Sequence, residues 1–333
     1  MKSIFMCEKE YLDSVYPEYI KEQLRQEAGL DETYIISDTS EYEKFKDYLR
    51  DVDYVFATWT FPGITEEQMK YFPSLKCVFY AAGSVKGCAG SIINCGRKIF
   101  SAWGANAVPV AEFTVSQIIL ANKGCFISAR AMRKGDYEAA KQISDNYLGN
   151  YKSSVGIIGA GMIGTMVIEE LVKKNFRVLV YDIFLSDEKI KAMGAEKAEL
   201  SEIFSECDIV SNHIADNKDT RGMLDYGLFS KMKPNSTFIN TGRGAQVVEE
   251  DLIRALKEKP FMTALLDVTW PEPPENGSEL YGMENVFLTP HIAGSKAREH
   301  WRLSQYMLDE FRKYIKGEPC KYEVTQEVLS RMA

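Results

Sequence analysis

Short apolar runs alternate with amphipathic stretches along the first hundred residues of the chain. The apolar runs predict buried strands at residues 3–6, 34–36, 54–57, 77–80 and 99–101. The amphipathic stretches predict helices at residues 18–28, 40–49 and 66–72. Strands and helices in alternation indicate a parallel sheet that helices cover on both faces.

A long apolar stretch at residues 109–126 predicts a buried helix that leaves the first domain, with Pro109 near its start. Residues 130–150 form a polar section, and a second α/β series begins at Ser153. Its strands are predicted near residues 154–158, 177–181, 208–212, 236–240, 263–267 and 286–288. A last helix is predicted at residues 296–316, closed by Gly317 and Pro319.

Bulk composition agrees with a globular protein of two domains. The length of 333 residues exceeds what one ordinary core supports. The hydrophobic fraction of 45% and the charged fraction of 26% are close to globular averages. Glu8 and Glu10 interrupt the apolar start, and no run is long enough for a membrane helix. We therefore expect a cytoplasmic protein that does not enter a membrane.

Charge and cysteine usage exclude several classes of site. The net charge of −8 argues against a nucleic-acid binder, so a small anionic substrate needs a local cation. Seven scattered cysteines with no C-x-x-C pair predict reduced thiols, and disulfides are the less favoured alternative. The histidines His213, His291 and His300 have no ligand spacing, so no metal site is predicted.

A glycine-rich turn follows the first strand of the second series and precedes a helix. The turn reads Gly159-Ala160-Gly161-Met162-Ile163-Gly164. A strand before G-x-G-x-x-G and a helix after it are the context that a dinucleotide site requires. The first glycine makes the tight turn, the second admits a pyrophosphate, and the third lets the helix pack on the strand. Amides around Met162 and Ile163 would hold the pyrophosphate at the helix N-terminus.

An acidic residue ends the next strand at the distance expected for a ribose-binding carboxylate. Asp182 lies 21 residues after Gly161 (182 − 161). A carboxylate there would repel a 2′-phosphate, and Ile183 and Phe184 behind it offer no cation. NAD is therefore predicted rather than NADP. The alternative is that Asp182 only caps the following turn.

Three ionisable residues follow three later strands of the same series: Arg243, Glu272 and His291. Parallel strands deliver their carboxyl ends to one edge, where an open α/β sheet binds its ligand. A guanidinium grips a carboxylate in a fork, and an imidazolium protonates the alkoxide that hydride transfer creates. A carboxylate beside the imidazole fixes its tautomer and favours its charged form. Reduction of a 2-keto acid needs these three groups. The alternatives are a surface arginine, a solvated loop acid and a structural histidine.

These motifs together resemble the D-isomer-specific 2-hydroxyacid dehydrogenase family, whose members include phosphoglycerate, D-lactate, hydroxypyruvate and glyoxylate enzymes. The matching segments are residues 108–112, 155–164, 207–213 with Thr220, 240–244, 267–273 and 289–294. The resemblance implies that Arg243, Glu272 and His291 are catalytic and that the enzyme interconverts a D-2-hydroxy acid and its 2-keto acid. It implies NAD contacts from Gly159, Gly161, Met162, Ile163, Gly164, Asp182, His213, Ile214, Thr241, Gly242, Arg243, Asp267, His291, Ala293 and Gly294. Asp267 would meet the nicotinamide carboxamide.

The resemblance also implies a domain plan. A Rossmann NAD-binding domain at residues 105–295 is expected to be inserted in a flavodoxin-like substrate domain at residues 1–104 and 296–333. Both would be doubly wound parallel α/β domains, and a homodimer would form through the NAD-binding domain. Gly83, Ser84 and Val85 are expected to bind the substrate, together with Arg243 and His291. Their loop departs from the family signature, so backbone amides would take the role of a side chain.

Two other functions remain open at this point. The family includes NAD(H)-sensing corepressors, although no basic or disordered segment supports partner recruitment here. Formate enzymes commonly carry Gln at the position of Glu272, which argues against that branch. Trp59 and Trp270 suit either an apolar substrate wall or domain packing, and Lys86 suits either a second anion or solvent.

Overall fold

The structure is a computed structural model that describes residues 1–331, and the chain divides into two compact units. The first unit comprises Met1–Ala107 and the chain from Ser295 onward, and the second comprises Val108–Gly294. The last two residues of the predicted segment 296–333 lie outside the described residues.

Helices and strands alternate through both units, as the patterning predicted. The elements up to the polar section are β1 (Ser3–Met6), α1 (Lys9–Val15), α2 (Glu18–Ala28), α3 (Glu41–Lys44), α4 (Lys46–Leu49), β2 (Tyr54–Ala57), β3 (Cys77–Tyr80), α5 (Ala89–Asn94), β4 (Lys98–Ser101), α6 (Trp103–Ala121), α7 (Cys125–Arg133) and α8 (Tyr137–Asp145). The second series comprises β5 (Ser154–Ile158), α9 (Met162–Lys173), β6 (Arg177–Tyr181), α10 (Asp187–Ala192), β7 (Glu196–Lys197), α11 (Leu200–Glu206), β8 (Ile209–Asn212), α12 (Tyr226–Phe229), β9 (Thr237–Asn240), α13 (Glu249–Glu258), β10 (Thr263–Leu266) and β11 (Val286–Leu288). Two helices follow, α14 (His300–Lys316) and α15 (Gln326–Arg331).

The first unit is built on a four-stranded parallel sheet in the order β1-β2-β3-β4. Alternate side chains of each strand enter two separate cores. Phe56 and Phe79 pack with Phe311 of α14 on one face, while Val55 and Val78 belong to the core on the other. Both faces are therefore covered, which is the reason that the strands are apolar throughout.

The strand predicted at residues 34–36 is wrong, because this segment makes only isolated bridges. Leu30 bridges Ser3 and Ile36 bridges Met6, along the edge of β1 that β2 does not occupy. Between those bridges Tyr34 turns away, and its ring lies 4.5 Å from that of Phe45. The position nevertheless corresponds to the second strand of a flavodoxin-like sheet, in which the first strand lies between the second and third.

Two predicted helices of the first unit are shorter than expected. Phe45 leaves helical geometry at φ −106° and ψ 17°, so the helix predicted at residues 40–49 is split into α3 and α4. The helix predicted at residues 66–72 is a single 3₁₀ turn, Gln68–Tyr71. Pro73 lies two residues after this turn, and a proline disfavours helical geometry in the residue before it, here Phe72.

The helix predicted at residues 109–126 is shifted towards the N-terminus, so Pro109 is not at its start. Helix α6 begins at Trp103 and ends at Ala121, with Pro109 in its interior. Ala105 is buried in the core of the first unit, and this packing extends the helix upstream of the proline. Gly124, at φ +64°, separates α6 from α7. Helices α7 and α8 cover most of the polar section at residues 130–150, which is therefore largely helical.

The second unit is a seven-stranded parallel sheet in the order β11-β10-β9-β8-β5-β6-β7. The chain moves outward from β5 in both directions, which is the doubly wound arrangement predicted from the sequence. Among the strands of this sheet, β7 is the one that the hydrophobic pattern did not predict, because its two residues, Glu196 and Lys197, are both exposed. The loops after β5 and β8 open where the strand order reverses, and this switch point is where such sheets bind ligands.

The final helix agrees with the prediction from residue 300 onward. A 3₁₀ turn, Ala297–Glu299, precedes α14, and Gly317 ends the helix at φ +69°. A left-handed glycine is the usual helix terminator because it has no Cβ. Among the described residues no helix is long and apolar enough to cross a membrane. No metal-binding cluster occurs among them, and all seven cysteines are unpaired.

Candidate active site and cofactor site

The glycine turn between β5 and α9 has the close approaches that its sequence requires. Gly159 adopts φ +90°, and a Cβ there would lie 3.0 Å from the backbone of His213 and Ile214. A Cβ on Gly164 would lie 2.0 Å from the carbonyl oxygen of Gly159, so the helix packs directly on the turn. A Cβ on Gly161 would meet no atom within 4 Å. The space beside Gly161 is therefore open, which suits the approach of a pyrophosphate.

The N-terminus of α9 presents amides that no side chain caps. Its N-cap residue is Gly161, which has no side chain that could accept a hydrogen bond from them. The first amides of a helix have no acceptor within the helix, and they lie at its positive end. Met162 and Ile163 therefore supply donors for an anionic group, and these residues fit the pyrophosphate of NAD.

The carboxylate of Asp182 ties the glycine turn to the end of β6. One oxygen accepts from the Ala160 amide at 2.9 Å. The other accepts from the amides of Phe184 at 2.8 Å and Leu185 at 3.0 Å. Asp182 thus caps the following turn, and it still offers lone pairs to a ribose. Ile183 and Phe184 are 70% and 76% exposed beside it.

The loops carrying Arg243 and Glu272 pack against each other. Arg243 and Glu272 follow β9 and β10, which are neighbours in the sheet. A Cβ on Gly244 would lie 2.0 Å from the carbonyl carbon of Thr269, so only glycine allows this approach. The Arg243 guanidinium donates to the carbonyl of Gly242 at 2.8 Å and makes no ion pair within the described residues. Its charge remains available for an anion.

Glu272 and His291 are in direct contact. The Glu272 Oε1 and the His291 Nδ1 are 2.7 Å apart, and the two side chains are 40% and 51% exposed. Their contact leaves Nε2 as the ring nitrogen that can reach a ligand. A cleft of about 450 Å³ opens beside them, lined also by Thr269, Tyr281 and Pro290.

His291 has a strained backbone that Asp267 holds in place. Its φ of +53° lies in the left-handed region, which non-glycine residues rarely adopt. The Asp267 carboxylate accepts from the Thr289 hydroxyl at 2.5 Å and from the amides of Ile292 at 2.8 Å and Ala293 at 2.9 Å. Asp267 is 2% exposed. Sequence reasoning assigned it to the nicotinamide carboxamide and missed this anchoring contact.

His213 lies at the switch point, beside the glycine turn. Its Nε2 pairs with the Ser211 hydroxyl at 2.9 Å, and its buried Nδ1 has no hydrogen-bond partner among the described residues. Burial lowers the pKa of His213 from 6.5 to about 4, so the ring is neutral at neutral pH. A neutral imidazole adds no charge beside a bound dinucleotide.

Three buried carboxamides at this edge were missed as a group. Asn212 and Gln246 are fully buried and Asn240 is 1% exposed. Asn240 and Asn212 lie inside matched motifs, yet neither had been given a role. Gln246 stands between Ala245 and Val247, and a polar residue in so apolar a stretch was the available signal. Thr241, between Asn240 and Gly242, is also buried and pairs with Thr114 of α6 at 3.0 Å.

The loop predicted to bind the substrate belongs to the first unit. The Gly83 carbonyl accepts a hydrogen bond from the Ser101 hydroxyl. Ser84 is exposed, whereas Val85 is buried and its carbonyl accepts from the Ala89 amide at the start of α5. Lys86 is exposed beside them. The loop is thus anchored at both ends, by Ser101 and by α5.

Of the two tryptophans singled out, one packs and the other is open. The ring of Trp59 meets His300 edge-on at 5.0 Å inside the first unit. Trp270 is 63% exposed, with the Arg221 guanidinium 5.9 Å from its ring.

Fold and site define a dinucleotide-binding protein of the doubly wound α/β class. Residues 115–293 match the model of the NAD-binding domain of D-isomer specific 2-hydroxyacid dehydrogenases. The chain belongs to the D-isomer specific 2-hydroxyacid dehydrogenase family, and NAD is the cofactor of the matched domain.

Relatives agree with this assignment. The chain is 34% identical over 204 residues to a putative 2-hydroxyacid dehydrogenase, YoaD, of Bacillus subtilis, covering 60% of this chain and 58% of YoaD. It is 28% identical over 229 residues to D-3-phosphoglycerate dehydrogenase of Archaeoglobus fulgidus, covering 69% of this chain and 43% of that protein. The chain therefore matches about half the length of these two relatives. A formate dehydrogenase of Chaetomium thermophilum is 30% identical over 281 residues, covering 81% of this chain and 76% of the relative.

Solved structures support the fold. Apo D-mandelate dehydrogenase of Rhodotorula graminis superposes with a TM-score of 0.80 at 22% identity, covering 98% of this chain and 97% of that one. At this identity the likeness establishes the architecture alone.

The half-buried His213 predicts a specific pH dependence of stability. The unfolded chain binds a proton as the pH falls through 6.5, whereas the folded chain does so only near 4. Stability should therefore fall between these values as the pH is lowered, by about 2 kcal/mol from pH 7 to pH 5. Urea unfolding at both pH values measures the difference. We expect His213→Asn to remove this component and His300→Asn to retain it; an unchanged pH dependence in His213→Asn would contradict the assignment.

Asp182 predicts discrimination between NADH and NADPH. Replacing Asp182 by Ala removes the charge that repels a 2′-phosphate, so the ratio of NADPH to NADH affinity should rise about tenfold or more. The ratio is the informative quantity, because loss of the turn contacts weakens both cofactors together. Fluorescence titration of each cofactor gives it. A wild-type preference for NADPH would refute the role of Asp182.

Proposed function

We propose that the protein is an NAD-dependent oxidoreductase that interconverts a small D-2-hydroxy acid and its 2-keto acid. The observation that carries this proposal is the 2.7 Å contact between His291 and Glu272, beside an open cleft in the NAD-binding domain. A solvent-reachable His–carboxylate pair is the usual arrangement of a general acid–base catalyst. No redox chemistry is available to these side chains themselves, and bound NADH supplies the hydride.

During reduction the chain's own residues bind the substrate anion and transfer the proton. Arg243 binds the substrate carboxylate and polarises the ketone through its guanidinium. His291 donates a proton from Nε2 to the ketone oxygen as hydride reaches the carbon, and the product is a neutral alcohol. Glu272 holds the Nδ1 proton and stabilises the imidazolium. In oxidation the neutral His291 takes the hydroxyl proton back.

The cofactor and the two units are assigned roles in the same proposal. The turn from Gly159 to Gly164 and the α9 amides bind the pyrophosphate, and Asp182 binds the ribose. The second unit serves as the NAD-binding domain, and the first serves as the substrate domain through Gly83, Ser84 and Val85. Asp267 contacts the carboxamide in addition to anchoring the His291 turn.

Two other functions are distinguishable by experiment. Similarity to a formate dehydrogenase makes formate oxidation a candidate. The family resemblance argues against it, because Glu272 stands where formate enzymes commonly carry Gln. A corepressor that only senses NADH would bind the cofactor without turnover. We therefore assay NADH consumption with pyruvate, glyoxylate, hydroxypyruvate, phenylpyruvate, 2-ketoisocaproate and 3-phosphohydroxypyruvate, and NAD reduction with formate. Turnover of a 2-keto acid supports the proposal, and turnover of formate alone would replace it.

His291→Ala should reduce turnover of the best 2-keto acid by at least ~10²-fold, the usual scale for loss of a general acid. NADH affinity should change by less than about twofold, because the lost group acts on the substrate oxygen. Steady-state kinetics and NADH fluorescence measure the two effects.

Glu272→Gln tests the partner of His291, and Glu275→Gln is the matched control. Glu275 is an exposed acid of the same loop, and among the described residues it makes no hydrogen bond or ion pair with His291. We expect the first variant to lower kcat and alter its pH profile and the second to behave as wild type. Equal behaviour of the two variants would remove Glu272 from catalysis.

We also propose that two copies associate through the second unit. Its segment from α6 to β5 exposes five large apolar side chains, which are Leu120 (44%), Met132 (50%), Tyr137 (61%), Leu148 (76%) and Tyr151 (75%). Exposed apolar side chains that gather on one face of a protein mark a candidate surface for association. A second copy of the chain is the proposed partner.

Light scattering after size exclusion tests the dimer. A Leu148→Asp, Tyr151→Asp double variant should weaken self-association by at least about tenfold, since charges are disfavoured in a buried interface centre. Ile315→Asp, at an apolar position on α14 that is 41% exposed, is the control. A monomeric wild type, or equal loss in the control, would contradict this proposal.

A further inference from the structure

Three buried side-chain amides join the loops at the carboxyl edge of the second sheet. Asn212 donates to the Asn240 Oδ1 at 3.1 Å and to the Gln246 Oε1 at 2.5 Å. Gln246 in turn donates from Nε2 to the carbonyl of Ile214 at 2.6 Å. Every amide nitrogen of this amide cluster faces an oxygen, so the orientations of the three side chains support one another. We use the term amide cluster for Asn212, Asn240 and Gln246.

One arm of the amide cluster leads to Arg243. The Asn240 Oδ1 accepts from the Gly242 amide at 3.1 Å, and its Nδ2 donates to the Arg243 carbonyl at 3.0 Å. Asn240 therefore holds the backbone on both sides of the Gly242–Arg243 peptide. Asn212 donates hydrogen bonds to both Asn240 and Gln246. A shift of Gln246 would therefore move Asn212 and Asn240, and with them the Arg243 backbone.

The other arm leads to the segment beside the glycine turn. Gln246 bonds the Ile214 carbonyl, and the Asn212 Oδ1 accepts from the Ile214 amide at 3.3 Å. This backbone lies close to the turn, because a Cβ added to Gly159 would lie only 3.0 Å from the Ile214 nitrogen. A displacement of Ile214 is therefore passed on to the turn proposed to hold the pyrophosphate.

Burial makes each hydrogen bond of the amide cluster costly to lose. Where solvent cannot reach, an amide that loses its partner stays unsatisfied, so a different loop geometry is penalised. Gln246 uses both ends of its amide, one end for each arm. An apolar side chain of the same length would fill the space and make neither bond.

We propose that Gln246 is a positioning residue that sets both arms: the Ile214 backbone for cofactor binding and, through Asn212 and Asn240, the Arg243 backbone for substrate binding. This inference rests on the proposed function for its substrate arm. Its cofactor arm depends only on NADH binding.

Two variants of Gln246 separate the arms, and two variants of Asn285 match them. Gln246→Met removes both bonds. Gln246→Glu keeps an acceptor for Asn212 but cannot donate to Ile214. Asn285 is 5% exposed at the amino-terminal end of the same sheet, and its amide donates to the carbonyls of Leu256 at 3.1 Å and Met262 at 2.8 Å. Asn285→Leu and Asn285→Asp therefore remove comparable bonds far from the carboxyl edge.

NADH affinity is measured by fluorescence titration, KM and kcat by steady-state kinetics, and folding by urea unfolding. Gln246→Met should weaken NADH binding and raise the KM for the keto acid, each about tenfold, as expected when a binding group is displaced. Gln246→Glu should weaken NADH binding by a similar factor and leave that KM within about twofold. The Asn285 variants should lose stability but keep wild-type NADH affinity and KM.

The role is refuted if folded Gln246→Met binds NADH within about twofold of wild type. Equal losses of affinity in Gln246→Met and Asn285→Leu would also refute it, because a general loss of stability would then suffice. If wild type consumes no keto acid, the proposed function fails, while the comparison of NADH affinities still decides the cofactor arm. If Gln246→Glu does not fold, Gln246→Met alone decides.

Discussion

The carboxyl edge of the second sheet depends on the buried carboxylate of Asp267. It accepts three hydrogen bonds from the turn that carries His291, and that turn holds His291 in a left-handed conformation. An isolated chain would relax this conformation, since it disfavours any side chain with a Cβ. The contact between His291 and Glu272 depends on Asp267, because its three hydrogen bonds hold the turn in this conformation. Substituting Asp267 would therefore disturb the contact between His291 and Glu272 without altering either residue.

Close approaches of glycine extend this constraint across neighbouring strands. Gly244 packs on the backbone of Thr269, so the Arg243 loop and the Glu272 loop share one position. Gly159 packs on the backbone after β8, and Gly164 packs on Gly159. The loops at this edge are thus closely packed against one another and do not behave as independent surface segments. Such rigidity suits the proposed site, in which a hydride donor, a proton donor and a cation for the substrate anion would have to be aligned.

Polar groups at the edge and apolar groups in the layers have separate tasks. Apolar side chains fill both faces of each sheet and provide most of the stabilisation from burial. The buried amides of Asn212, Asn240 and Gln246 provide little net stability, but they penalise any other loop arrangement. His213 stands between these environments, and its desolvation keeps it neutral. Specific geometry at the edge therefore comes from hydrogen bonds, and the scaffold comes from burial.

Most of the scaffold could be predicted from the sequence, and the residues proposed for the chemistry could be named from it. Fully apolar runs such as Val55–Ala57 or Ile157–Ile158 and the glycine turn are local signals, because burial on both faces and tight turns restrict which residues are tolerated. The errors occurred where tertiary packing overrode local preference. Tyr34 left the edge of β1 to pack on Phe45, and burial of Ala105 carried α6 upstream of Pro109. The exposed pair Glu196–Lys197 became a strand only because β6 offered an unpaired edge.

By itself the sequence determined the family, the cofactor and the two α/β series, because each is encoded by residue types at short, regular spacing. Only the tertiary structure decided which residues hold the site together. Asp267 and Gln246 act through partners 22 to 34 residues away along the chain, and their burial depends on how strands β8 to β11 are ordered in the sheet. No local pattern records that order, since it results from the packing of the whole sheet.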